Sequence, residues 1–225
     1  SEKAKLADIG SKDWIGSTSI LVTNKPFLYG FFELRFKLPL IPGPGLTFWF
    51  PGTDEKSTEI DVIEQTLYKK GSICDFKAST IHWYPGGYSK ENRNSLSTQF
   101  SRPNLADSVV KTLNSMTLNP SGDILKDKSV NGNKRISKVV KDDTIRWDDG
   151  NYHKVAMLWT PDRYVFFYDD IEVCSYSEGV AHVPERAILW LRTMDSLKKV
   201  AESPDRRNPE KTPAKVLIDY FRIYQ

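Results

Sequence analysis

The chain is poor in the residues that build metal centres and cross-links. Its 225 residues include two cysteines, Cys74 and Cys174, and three histidines. Neither cysteine stands in a CxxC pair, and singly scattered histidines do not make a zinc site. Two buried free thiols are the simpler expectation; one disulfide would need a secreted protein. No apolar run approaches the ~20 residues of a membrane-spanning helix. The opening Ser1-Glu-Lys-Ala-Lys5 is polar and unlike a leader, so a cytoplasmic protein or the mature part of an exported one is expected. Neither charge sign dominates: 32 Lys and Arg stand against 29 Asp and Glu, a net +3. That balance is compatible with an anionic substrate, does not demand one, and is no basic stripe for nucleic acid. Amphipathic helical patterns are scarce, with a short one at Ser196–Ala201, and there is no internal repeat.

Aromatic residues are plentiful: six Trp, ten Tyr and eleven Phe. Flat rings suit both a core and a sugar surface. Strand-like segments recur between Gly, Pro, Asn and Asp. They are Ser17–Val22, Phe31–Leu38, Leu46–Phe50, Thr58–Thr66, Thr80–Tyr84, Tyr152–Thr160, Tyr164–Asp169, Ile171–Tyr176, Ala187–Thr193 and Lys215–Tyr224. Phe32, Leu34, Phe36 and Leu38 alternate with Phe31, Glu33, Arg35 and Lys37. Many short strands imply one all-β unit over residues 1–225, built of two packed antiparallel sheets. Residues 100–144 read as a loop-rich excursion, with Asn131-Gly132 as a hairpin signal. From Lys111 to Asp143 there are seven Lys/Arg and four Asp/Glu, the mark of a solvated segment or of a basic loop beside a cleft.

The run Ser57-Thr-Glu59-Ile-Asp61-Val-Ile-Glu64 carries the chemistry. Its spacers Ile60, Val62 and Ile63 are β-branched, so it reads as a strand. Glu59 and Asp61 then share a face, while Glu64, five residues after Glu59, falls on the other. A β-bulge near Val62-Ile63 would bring Glu64 back to the first face. A row of like charges is costly unless something uses it. Glycoside hydrolysis does, with one carboxylate attacking the anomeric carbon and another protonating the leaving oxygen. A solvated strand face and a calcium site are the other readings of the same acids.

Four segments, in order, resemble glycoside hydrolase family 16: Tyr29–Pro39, Leu46-Thr-Phe-Trp-Phe-Pro51, Glu59-Ile-Asp-Val-Ile-Glu64 as the bulged ExDxxE signature, and Val216–Tyr224. The Tyr152–Asp170 meander is also similar to that family. The resemblance covers most of 18–92 and 150–225, whereas the family's usual first strand is not evident in Ser1–Gly16. It implies a concanavalin A-like β-sandwich jelly roll with a cleft on its concave sheet, and a retaining endo-glycosidase. By position Glu59 is the nucleophile, Glu64 the acid/base and Asp61 the residue between them. Family members often bind calcium through N-terminal residues and an acid of the closing strand. Asp219 lies in that strand, but its N-terminal partners are not visible, so no metal-site residues and no cofactor are named and a structural calcium is left unassigned. The implied partner is a polysaccharide, with no nucleic acid and no membrane span, and the expected protein is a monomer, secreted or on the cell surface.

Ser57-Thr58 before the signature and the charged segment Met194–Arg207 resemble the carrageenase group, which implies a red-algal galactan, sulfated or not. An endo-β-1,3-glucanase is the alternative, and a non-catalytic carbohydrate-binding jelly roll or a structural cell-surface protein would come from other classes. Trp49 takes the family position for stacking on a sugar, or is an ordinary core Trp. His82 and Trp83 could reach the cleft from the next strand, with His82 near Glu64. Trp190 and Arg192 share one strand face. Arg192 and Arg35 could each hold a sulfate or an ion-pair partner such as Glu33. Trp147 is a weaker cleft candidate.

Overall fold

The computed structural model describes residues 2–5, 14–38, 44–52, 56–66, 76–89, 91–101, 116–118, 124–141, 147, 149–193 and 215–225. Cys74, Ser196–Ala201 and Met194–Arg207 lie outside them. All regular structure among the described residues is β. In chain order the strands are β1 Glu2–Lys5, β2 Trp14–Val22, β3 Gly30–Lys37, β4 Pro44–Phe50 and β5 Thr58–Thr66. There follow β6 Phe76–Trp83, β7 Asn94–Ser101, β8 Met116–Leu118, β9 Ile124–Asp127 and β10 Arg135–Lys141. The last five are β11 His153–Trp159, β12 Tyr164–Tyr168, β13 Ile171–Tyr176, β14 Ile188–Thr193 and β15 Leu217–Tyr224. The larger sheet runs β1-β2-β14-β4-β5-β6-β7-β10-β9-β8 and the smaller β13-β12-β11-β3-β15.

Strand alternation builds the core. On β3, Phe32, Leu34 and Phe36 are fully buried while Phe31, Glu33, Arg35 and Lys37 turn outward. Phe48 and Phe50 of β4 face them from the other sheet. Phe32 meets Phe50 edge-on at 5.0 Å, and Trp159 lies 5.9 Å from Phe50. Edge-to-face contacts of this kind add to the ~1.5–3 kcal/mol that burying each large side chain contributes. Two packed sheets form the jelly-roll sandwich.

Two features depart from the sequence reading. The stretch 100–144 is not simply an excursion: its described part holds β8, β9 and β10, which extend the larger sheet. Asn131 (φ 53°) and Gly132 (φ 80°) form the turn between β9 and β10, closed by paired Val130 and Asn133. Both φ values are positive, as a tight hairpin turn requires. The second departure is that β10 pairs with β7 in parallel, Arg135 beside Ser95 and Ser137 beside Ser97. A parallel partner needs a crossover, which local alternation does not announce.

Candidate active site

The acid strand lies in the middle of the larger sheet, between β4 and β6. The bulge expected from the sequence is present. On β4, Phe48 pairs with Ile63 and Trp49 with Asp61, so Val62 is the additional residue. On β6, Thr80 pairs with Asp61 and Ala78 with Glu64, so Ser79 alone faces both Val62 and Ile63. Val62 and Ile63 are both fully buried, and Glu64 returns to the face of Glu59 and Asp61.

Hydroxyl groups on the core side pin this bulge. Ser79 Oγ donates to the Val62 carbonyl at 2.8 Å and shares a second 2.8 Å bond with the Tyr168 hydroxyl. The Tyr176 hydroxyl contacts the Ser79 carbonyl at 3.1 Å and Thr98 Oγ1 at 2.8 Å. Complete burial pushes the Tyr168 phenol well above its ordinary range, so it stays neutral. Buried hydroxyls thus satisfy a carbonyl that the irregular ladder would otherwise orphan.

The start of the strand is held equally closely. Glu185, 5% exposed, accepts the Thr58 N–H at 3.0 Å, and Thr58 Oγ1 donates to the Gly179 carbonyl at 2.5 Å. Gly52 packs directly on Glu59: a Cβ there would come within 2.4 Å of the Glu59 nitrogen. The backbone carrying Glu59 is therefore confined from both sides.

On the outer face, register sets out rows across the strands. One row is Glu59, His82, Ser95 and Arg135; the next is Trp49, Asp61, Thr80 and Ser97; a third is Trp190, Thr47, Glu64 and Ala78. His82 Nε2 lies 3.8 Å from Asp61 Oδ2. Burial, then the charges of Arg93 and Arg135, lower the His82 pKa to about 4, so the imidazole is neutral near neutral pH. Donor atoms of Glu59, Asp61 and His82 all lie within 4.8 Å of one another. No ion is assigned to them, because Glu59 is the nucleophile of the reaction proposed below. Thr47 Oγ1, the Trp49 indole N–H and His82 Nδ1 are buried and have no hydrogen-bond partner among the described residues. All three side chains flank the acids, where hydroxyl-rich ligands would meet them.

The structure separates the remaining candidates. Trp49 lies beside Asp61, and Trp190 one strand further out, opposite Thr47. Arg192 pairs with Gly45 in the register of β14 and β4. His82 stands opposite Glu59 and not Glu64, whose partner on β6 is Ala78. Trp83 is not on this face. Adjacent strand residues point to opposite sides, so Trp83 turns to the core, where it packs against Gly179. A Cβ on Gly179, which has φ +61°, would meet the Trp83 ring at 2.5 Å. Arg35 is on the outer face of the other sheet, in an ion pair with Asp219. It therefore cannot hold a ligand beside the acids. Trp147 is fully buried, its indole N–H donating to Asp169 at 3.1 Å. Cys174 is a free thiol, pushed up to about 11 by burial.

Tyr84, which the sequence reading did not single out, and Arg135, from the basic segment expected beside a cleft, complete the candidate site. Tyr84 donates to Glu59 Oε2 at 3.4 Å, and Arg135 Nε donates to the Arg93 carbonyl at 3.2 Å beside His82. Tyr84 was legible as two residues beyond His82, and therefore on its side of the chain.

No protein-family model and no curated protein sequence matches the chain. Solved structures do resemble it. An endo-acting O-glycanase of the human gut microbiota, described as initiating mucin breakdown, superposes with a TM-score of 0.56 at 22% identity, over 100% of this chain and 71% of its own. A glycoside hydrolase family 16 endo-glucanase from Bacteroides ovatus gives 0.55 at 16% identity, over 95% and 83%. A kappa-carrageenase from Zobellia galactanivorans gives 0.54 at 15% identity, over 92% and 70%. At these identities the likeness is one of fold. The chain has the jelly-roll sandwich of glycan-cleaving enzymes that include family 16 glycosidases.

Proposed function

We propose that the chain is a retaining, endo-acting glycoside hydrolase of the family 16 kind, acting on a β-linked polysaccharide. The carrying observation is the bulge at Val62-Ile63, which collects Glu59, Asp61 and Glu64 on one face. Glu59 attacks the anomeric carbon as the glycosidic C–O bond breaks, and the proton of Glu64 goes to the leaving oxygen. Water then adds to that carbon, its proton passes to Glu64, and the electron pair of the ester C–O bond returns to Glu59. Asp61 stands between them, beside a neutral His82. A lectin-like module of the same fold would have no use for the paired carboxylates.

The substrate within this reading is an anionic red-algal galactan. Support comes from Ser57-Thr58 ahead of the signature, from Arg135 at the end of the row that begins at Glu59, and from Arg93, whose charge also acts on His82. Guanidinium groups form charge-assisted hydrogen bonds to sulfate. A neutral β-1,3-glucan is the second reading, favoured by the opposite end of the face, where Trp49, Ile188 and Trp190 bring no charge. The test is a panel of laminarin, lichenan, agarose, porphyran, carrageenans and mucin, with products sized on a gel. Cleavage of a sulfated galactan, with a Michaelis constant that rises with salt, is expected. Laminarin cleaved with every galactan untouched selects the glucanase. Binding without cleavage of any polymer selects the lectin-like module.

A further inference from the structure

On the hydrolase reading above, we propose that Tyr84 is a positioning residue for Glu59: its phenol holds the carboxylate as the anion and receives that charge again when the glycosyl-enzyme ester is broken. Tyr84 follows β6 directly, is 3% exposed, and points its hydroxyl at Glu59 Oε2 from 3.4 Å. Its ring leans on Tyr88, centroids 4.5 Å apart at 45°, which fixes the direction of the hydroxyl. Burial and the neighbouring charge of Glu59 push the phenol up to about 12, so it remains a donor through the working pH range. The other charged or titratable groups around the pair are Asp61 and Glu64 on β5, His82 on β6, and Tyr88 and Arg93 beyond it.

The chemistry gives this contact a direction. A phenol binds an ionised carboxylate more strongly than an ester oxygen. When Glu59 forms its bond to the anomeric carbon, the carboxylate charge disappears and the hydrogen bond weakens. When water displaces Glu59, the C–O bond breaks, the electron pair returns to the carboxylate and the bond is restored. Tyr84 therefore favours the second step over the first.

The experiment is Tyr84→Phe, which keeps the ring and removes the donor, with Tyr88→Phe as the packing control. The Glu59 carboxyl carbon, assigned in a ¹³C spectrum by its loss in Glu59→Gln, should titrate at higher pH in Tyr84→Phe and be unmoved in Tyr88→Phe. On a dinitrophenyl glycoside of the oligosaccharide released from the cleaved polymer, breakdown of the intermediate should slow about tenfold, the effect of ~1.4 kcal/mol. A burst should appear, with kcat and KM falling together and kcat/KM within twofold of wild type. An unchanged Glu59 titration overturns the proposal, as does an equal fall in kcat and kcat/KM. A moved titration in a protein that cleaves no glycan overturns the hydrolase reading instead, and the catalytic role with it.

Discussion

The outer faces of the two sheets carry the same kind of strand and put it to different uses. On β3, Glu33, Arg35 and Lys37 alternate with buried Phe32, Leu34 and Phe36. Their surroundings are of mixed sign: Arg35 pairs with Asp219 and lies over the Tyr152 ring, and nearby Lys154 pairs with Asp170. On β5 the charges are all of one sign, and the flanking strands set Trp49, Thr47, Thr80 and His82 beside them. Mixed charges neutralise one another on an ordinary solvated surface. Like charges gathered by a bulge and walled by buried polar groups mark a candidate ligand site.

His82 on the acid face and His153 on the core side repeat the contrast. His82 is buried beside Arg93 and Arg135, and its pKa is lowered. Burial also opposes charge on His153, but hydrogen bonds to Asp169 at 2.8 Å and Asp149 at 2.9 Å outweigh it and raise the pKa. One imidazole is kept neutral beside the acids; the cationic form of the other is favoured by a structural clamp.

The largest break in this comparison comes from deleting a carboxylate. Glu59→Ala should fold normally yet lose activity by a factor on the order of 10⁴ or more. Azide entering the vacated space should partly restore turnover of an activated glycoside. A Glu59→Ala protein near wild-type rate, with Glu64→Gln inactive, would reverse the assignment.

Acid stability separates the histidines. The folded His82 pKa of about 4 lies below the ~6.5 of an unfolded chain, so the unfolded state binds more protons in between. Stability should fall as pH falls through that window, by up to about 3 kcal/mol, and the loss should shrink in His82→Asn. His153 has the opposite sign: its raised folded value contributes stability below the unfolded pKa that is lost as pH rises through the folded one. Urea unfolding of wild type, His82→Asn and His153→Asn at pH 4.5 and 7 measures both. Parallel pH dependence in wild type and His82→Asn would refute the burial argument.

The smallest effect belongs to the paired surface. Arg35→Ala should cost less than about 1 kcal/mol, since exposed pairs contribute little, and leave cleavage and its salt response unchanged. Arg135→Ala should instead flatten the salt dependence of the Michaelis constant on a sulfated polymer. Equal salt responses in the two variants would place the anion contact elsewhere.

Much of the site was legible in the chain because its determinants are local. Period-two alternation fixes that Glu59 and Asp61 share a face, and the five-residue step to Glu64 brings it back to that face only with an inserted residue, found at Val62. The same rule placed Phe32, Leu34 and Phe36 inside, and it assigns His82 and Trp83 to opposite sides. What local spacing does not hold is which strands become neighbours. The parallel pairing of β10 with β7 brings Arg135 to His82, across 53 positions of sequence, and residues as distant as Glu185 and Gly179 fix the start of the acid strand. Arg35, with the same side chain and a comparable alternating context, falls on the other sheet. Sequence by itself determined the acids, their shared face and the alternating strands, because backbone geometry decides these over a few residues. Tertiary structure alone decided which cation, phenol and aromatic ring stand beside them, because contacts between strands far apart in sequence are selected by the packing of the whole sandwich.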